Sequence, residues 1–206
     1  GDKEQMIRVA EEGLQALGET NYTLLPLAAE LFVQAGQLDR AGQYVKVLDE
    51  AEAERGTILY LEGLIARASM DWTTAIEKWQ RAIQLGFSSE IIYLNLADTL
   101  EQINNRPMAI QLLRRYLGRT QATFEAHLKL ANLFAQDQYW RQALEQVTAA
   151  VQLNPASLEA RILYLRSQIE LADTNQALEV KGLKEAIEQL INVKDSLQAR
   201  MLMFHL

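Results

Sequence analysis

Apolar residues along the chain fall at three- and four-residue intervals, as in Ile58 to Ala68 and Ala75 to Leu85, which is the pattern of one buried helical face. Period-two alternation, the mark of half-buried strands, is absent. The stretches come in pairs separated by short breaks, Ala35-Gly36-Gln37, Ser69-Met70-Asp71, Ile103-Asn104-Asn105 and Gln136-Asp137-Gln138. The first and third breaks carry Gly or Asn, residues suited to a left-handed helix end. The predicted unit is an antiparallel helical hairpin.

The hairpins repeat. Alanine stands at positions 41, 75, 109, 143 and 177, always 34 residues apart. Twelve residues earlier the register holds Ala29, Gly63, Ala97 and Ala131, small residues where two helices cross closely, with Leu165 departing. Other columns read Phe32, Ala66, Leu100, Phe134; then Val45, Trp79, Leu113, Val147; then Leu48, Ala82, Tyr116, Ala150. A fixed period of this size belongs to stacked supersecondary units, each of which buries its apolar face only against its neighbours.

In the segment His127 to Pro155, the residues Leu130-Ala131, Phe134, Tyr139-Trp140, Ala143, Ala150 and Asn154-Pro155 stand where the tetratricopeptide repeat family places those residue types, and Trp72 repeats Trp140. The chain resembles that family over roughly residues 22 to 172. The resemblance implies an all-α, right-handed superhelical solenoid of helix-turn-helix repeats, here a fragment of a longer array. Its expected parts are a lone helix at 3–18, resembling the second helix of a truncated repeat and ending at Gly18, repeats at 22–55, 56–89, 90–123 and 124–157, an irregular repeat at 158–194, and the start of a further helix at 195–206. The fifth repeat is irregular because Ala177 would place Lys181 and Lys184 on its buried side, which is costly without partners. A later register, Gly182 followed by Leu183, Ala186, Ile187, Leu190 and Ile191, is favoured instead.

Composition changes this picture little. The 206 residues are 49% apolar and 23% charged with three prolines, as in a folded chain. No apolar run is long enough to span a membrane, so no membrane insertion is expected, and the N-terminus carries no basic-then-apolar signal. Absence of cysteine removes disulfides and thiolate chemistry and leaves the compartment open between cytoplasm and periplasm. The net charge of −7 argues against general nucleic-acid binding. That charge is uneven: residues 1–100 hold 8 basic and 16 acidic side chains, residues 101–206 hold 12 and 11.

Candidate chemistry is sparse. The cluster Arg114, Arg115, Arg119 surrounds Tyr116, which falls in a buried column, so these arginines read as charges facing a helix C-terminus in preference to a phosphate site. There are two histidines, His127 and His205, and no phosphate-binding glycine loop or paired metal ligands. His127 reads as a core histidine. No enzyme, cofactor or metal is expected from these residues.

The first helices of such an array line an extended groove, and members of the family are protein-interaction modules, so the resemblance implies a non-catalytic scaffold that binds a peptide or helical segment of a partner there. Residues on those helices outside the packing columns form rows: Pro26, Tyr60, Leu94, Leu128, Ile162; then Leu27, Leu61, Asn95, Lys129, Leu163; then Glu30, Leu64, Asp98, Asn132, Arg166. The candidate partner-binding residues are Tyr60, Leu64, Arg67, Asn95, Asp98, Leu128, Lys129, Asn132 and Arg166. Amides offer donor and acceptor, and Lys129 and Arg166 suit a carboxylate. The plainer reading of the polar ones is a solvated helix face.

The two-carboxylate clamp of chaperone-binding members matches poorly: Tyr60, Leu64 and Glu125 stand where the clamp wants cations or an amide, so no binding of acidic chaperone tails is expected. Three further readings stay open. The groove serves a catalytic domain of a larger enzyme outside this stretch, it is filled internally by a segment such as Met201 to Leu206, or the chain self-associates through open ends.

Overall fold

In the computed structural model, residues 2–18, 22–119, 123–172, 181–183 and 185–188 are described. Ten α-helices are delimited: α1 Asp2–Leu17, α2 Leu25–Ala35, α3 Leu38–Glu50, α4 Arg55–Ala68, α5 Trp72–Gln84, α6 Glu90–Gln102, α7 Arg106–Leu117, α8 Phe124–Gln136, α9 Trp140–Leu153 and α10 Leu158–Leu171. Residues 181–183 and 185–188 are helical as well, and no strand occurs among the described residues. The chain is all-α.

The repeat columns are the core. Ala41, Ala75, Ala109 and Ala143 are fully buried, and so are Ala29, Ala97 and Ala131. The column before the turn (Phe32, Ala66, Leu100, Phe134) and the two after it are buried throughout. Gly63 shows why the crossing must be small. A Cβ there would lie 2.3 Å from Nε1 of Trp79, whose ring is fully buried and donates to the carbonyl oxygen of Tyr60 at 3.0 Å. Where the second helix contributes the largest side chain, the first contributes none.

The turns repeat as faithfully as the core. Gly36, Met70, Asn104 and Gln138, each 34 residues from the next, all have positive φ, 82°, 62°, 58° and 60°. Each lies in the same pair of backbone bonds. The amide after it donates across the turn (Gln37 to Phe32 at 2.8 Å, Asp71 to Ala66 at 2.9 Å, Asn105 to Leu100 at 2.8 Å, Tyr139 to Phe134 at 2.9 Å), and its own amide closes the inner bond. This is a Schellman end, which supplies partners to the last carbonyls of the first helix. Sequence marked only Gly36 and Asn104 for this conformation; Met70 and Gln138 adopt it at a cost of about 1–2 kcal/mol each.

The helices divide into two compact units, residues 1–105 and 106–206. In the first, α1 packs on α2, α2 on both α3 and α4, α4 on α5, and α5 on α6. Glu11 of α1 accepts from Arg40 of α3 at 2.8 Å. Asp71 caps α5, accepting from the Thr74 amide at 3.1 Å. In the second unit α7 packs on α8, α8 on α9, and α10 on both α8 and α9. Leu183 and Ile187 are buried against Leu165 and Ile169, with Ala186 beside them, while Lys181 is exposed and pairs with Glu185 at 3.9 Å. These residues follow the later of the two registers considered above. Ala177, Lys184, Leu190, Ile191 and the helix expected at 195–206, His205 included, lie outside the described residues.

Candidate functional site

The first helices of the first unit, α2, α4 and α6, together with the start of α5, enclose a cleft of about 390 Å³. Its walls are Val33 and Gln34 from α2, Leu64 and Ala68 from α4, Trp72 from α5 and Ile91 from α6, with Tyr60 at its base. The Tyr60 ring is held from behind by Phe87, the two stacked with centroids 5.1 Å apart. Its position follows from the helical period: Tyr60, Leu64 and Arg67 are spaced four and three apart on one face of α4.

Among the described residues two charged groups, Glu30 and Arg67, line the cleft. Glu30 of α2 hydrogen-bonds the Tyr60 hydroxyl, and burial raises its pKa above the ordinary carboxylate value against the lowering effect of that bond. The same burial, with the Glu30 charge beside it, pushes the Tyr60 phenol up, so it stays a neutral donor. Arg67 of α4 donates to Oδ1 of Asn95 on α6 and lies 4.0 Å from a carboxylate oxygen of Asp98. Arg67 is therefore anchored and its charge offset, whereas among the described residues Glu30 makes no ion pair.

The second unit carries the corresponding face on α8 and α10. Leu128 is buried, Asn132 donates to Oε1 of Glu159 at 3.2 Å, and the Arg166 guanidinium lies 5.2 Å from the centre of the Trp140 ring. Lys129 is half-buried. His127 is also only half-buried, not a core residue, with Nδ1 3.0 Å from Oε1 of Gln146. Tyr116 is buried and Arg114 covers Phe134, 5.1 Å from its centre. Among the described residues no group of His, Cys, Asp or Glu is arranged to hold a metal ion, and no helix is long and apolar enough to cross a membrane.

No family model and no curated protein matches the sequence. Solved structures do. YrrB, described as a TPR protein with an unusual peptide-binding site, superposes with a TM-score of 0.66 at 15% identity over 96% of this chain and 98% of its own. The C-terminal part of a TPR repeat-containing protein from Cytophaga hutchinsonii gives 0.68 at 18% identity over 93% and 74%. MamA from Desulfovibrio magneticus RS-1 gives 0.64 at 17% identity over 87% and 99%. The chain has the tetratricopeptide-repeat fold.

Within this tetratricopeptide-repeat fold, four of the expected binding residues, Tyr60, Leu64, Arg67 and Asn95, line one cleft, and Asp98 adjoins it through Arg67. Asn95 is only 9% exposed and its carbonyl is engaged by Arg67, so its part is to hold that guanidinium. Leu61, in the same row as Asn95, is fully buried and lies outside the cleft. The nine-residue set omits Glu30 and Trp72. Glu30 stands in one of the rows read along the first helices, and Trp72 opens a second helix, outside those rows. Both line the cleft.

Proposed function

We propose that the protein is a non-catalytic protein-interaction scaffold and that the cleft of its first unit binds a peptide or helical segment of a partner. One observation carries this reading: Tyr60, Leu64, Trp72 and Ile91 gather apolar and aromatic surface in a concavity that also holds fixed polar groups, Glu30 and Arg67. Ligand sites are built this way, with apolar walls for affinity and a few oriented polar groups for register. The description of YrrB as having a peptide-binding site is consistent with such use of the fold. Lys129, Asn132 and Arg166 are proposed as a separate contact surface on the second unit. The acidic balance of residues 1–105, 8 basic against 17 acidic side chains, makes nucleic acid a poor ligand for the cleft.

Selection of short random peptides displayed on phage against the whole chain tests the reading. Enriched peptides should bind in calorimetric titration and lose about tenfold or more in affinity with Leu64→Asp or Trp72→Ala, both surface-accessible changes. Affinity indifferent to both variants would move the site elsewhere.

A further inference from the structure

We propose that the cleft of the first unit takes a basic segment of its partner, in which a lysine or arginine meets the Glu30 carboxylate while its methylene stem and a neighbouring apolar side chain lie on Leu64, Trp72 and Ile91. This rests on the cleft being a peptide site and names the chemical class of the peptide.

Three observations support it. Glu30 is a half-buried carboxylate whose described partner is a neutral phenol, and a buried carboxylate gains most from a cation that arrives already sharing the same desolvated space. Among the described residues the one cation in the cleft wall is Arg67, which is tied to Asn95 and Asp98 and makes no ion pair with Glu30. Second, the repeat itself displays the arrangement. Trp140 stands two periods after Trp72, and its indole carries the Arg166 guanidinium 5.2 Å from the ring centre. The position equivalent to Arg166 beside Trp72 is Asp98, so among the described residues no cation covers the cleft tryptophan as Arg166 covers Trp140, and its ring can take one from outside. Third, residues 1–105 hold 8 basic and 17 acidic side chains, net −9, against +2 for residues 106–206, which have 12 and 10. The first unit attracts cationic partners and repels acidic ones.

The same display selection decides the matter. Enriched peptides are expected to carry Lys or Arg beside an aromatic or aliphatic residue, to bind more weakly as salt rises, and to lose about tenfold or more when that Arg is replaced by citrulline or that Lys by norleucine. Glu30→Gln should produce a similar loss with no fall in thermal midpoint, which separates lost binding from lost folding; the altered peptides make the same test with the protein unchanged. Enrichment of acidic or uncharged peptides that still depend on Leu64 and Trp72 would overturn this inference and leave the peptide-binding reading standing. Failure to enrich any peptide, or binding indifferent to every cleft variant, would overturn both.

Discussion

The hairpin α4–α5 and the hairpin α8–α9, 68 residues later, are built alike and present different faces. Both bury the same columns and turn through a left-handed residue, Met70 in one and Gln138 in the other, with matching backbone bonds. Both open the second helix with tryptophan. The difference comes from the helix that follows. Behind Trp140, α10 supplies Arg166, which lies over the indole; behind Trp72, α6 supplies Asp98, which is too short to reach across a ring and turns to Arg67. In a repeat of this kind the packing columns fix the hairpin, and one side chain on the next first helix decides whether its face is closed or available.

The largest expected effect lies in the packing that the two hairpins do not share. Trp79→Ala should cost about 3–5 kcal/mol in chemical denaturation, more than Val147→Ala at the matching position of α9. Gly63→Ala should cost about 1–3 kcal/mol because its Cβ meets the indole, whereas Ala131→Gly in α8 should cost only about 1 kcal/mol. The comparison of faces is sharpened by exchange. Asp98→Arg should cover Trp72 and weaken peptide binding about tenfold in calorimetric titration, and unchanged affinity would mean that the open indole is not the determinant. Smaller still, Met70→Gly and Gln138→Gly should each stabilise by about 1 kcal/mol, equally in the two hairpins, and Asn104→Gly by less because asparagine tolerates the left-handed region.

The smallest effect is a pH dependence. The Glu30 pKa is raised by burial, so the native state binds a proton that the unfolded chain has already released, and stability from this group is lost as pH rises through that raised value. Glu30→Gln should therefore match the unaltered protein in strongly acidic solution and exceed it slightly at neutral pH in thermal unfolding. The cleft of the first unit pays this penalty, and a variant more stable yet poorer in binding would tie the penalty to function.

The packing of the hairpins was readable in the sequence because it is periodic. Each buried column repeats one steric requirement, so Ala41, Ala75, Ala109 and Ala143 announce the same crossing four times. The left-handed turns were half readable: Gly36 and Asn104 favour the conformation, while Met70 and Gln138 are forced into it by the flanking helices. Row-by-row reading found Tyr60, Leu64 and Asn95, and helical spacing added Arg67 one turn beyond Leu64; all four share the cleft. That reading listed Glu30 without choosing it and did not reach Trp72, because whether a charge is solvated or an indole covered depends on a side chain some 26 to 30 positions away. Asn95 was assigned to a partner for the same reason; pairing with Arg67 28 positions before it in the chain is not a periodic property.

The three tryptophans give the protein a set of optical probes, one for each environment. Trp79 is sealed in the core, Trp140 lies under an arginine in the second unit, and Trp72 lines the cleft. Emission from Trp79 is shielded from collisional quenchers until the first unit opens. Trp72 is the one within reach of a ligand in the cleft, so protection of a single fluorophore from acrylamide, without any label, would mark a segment entering it.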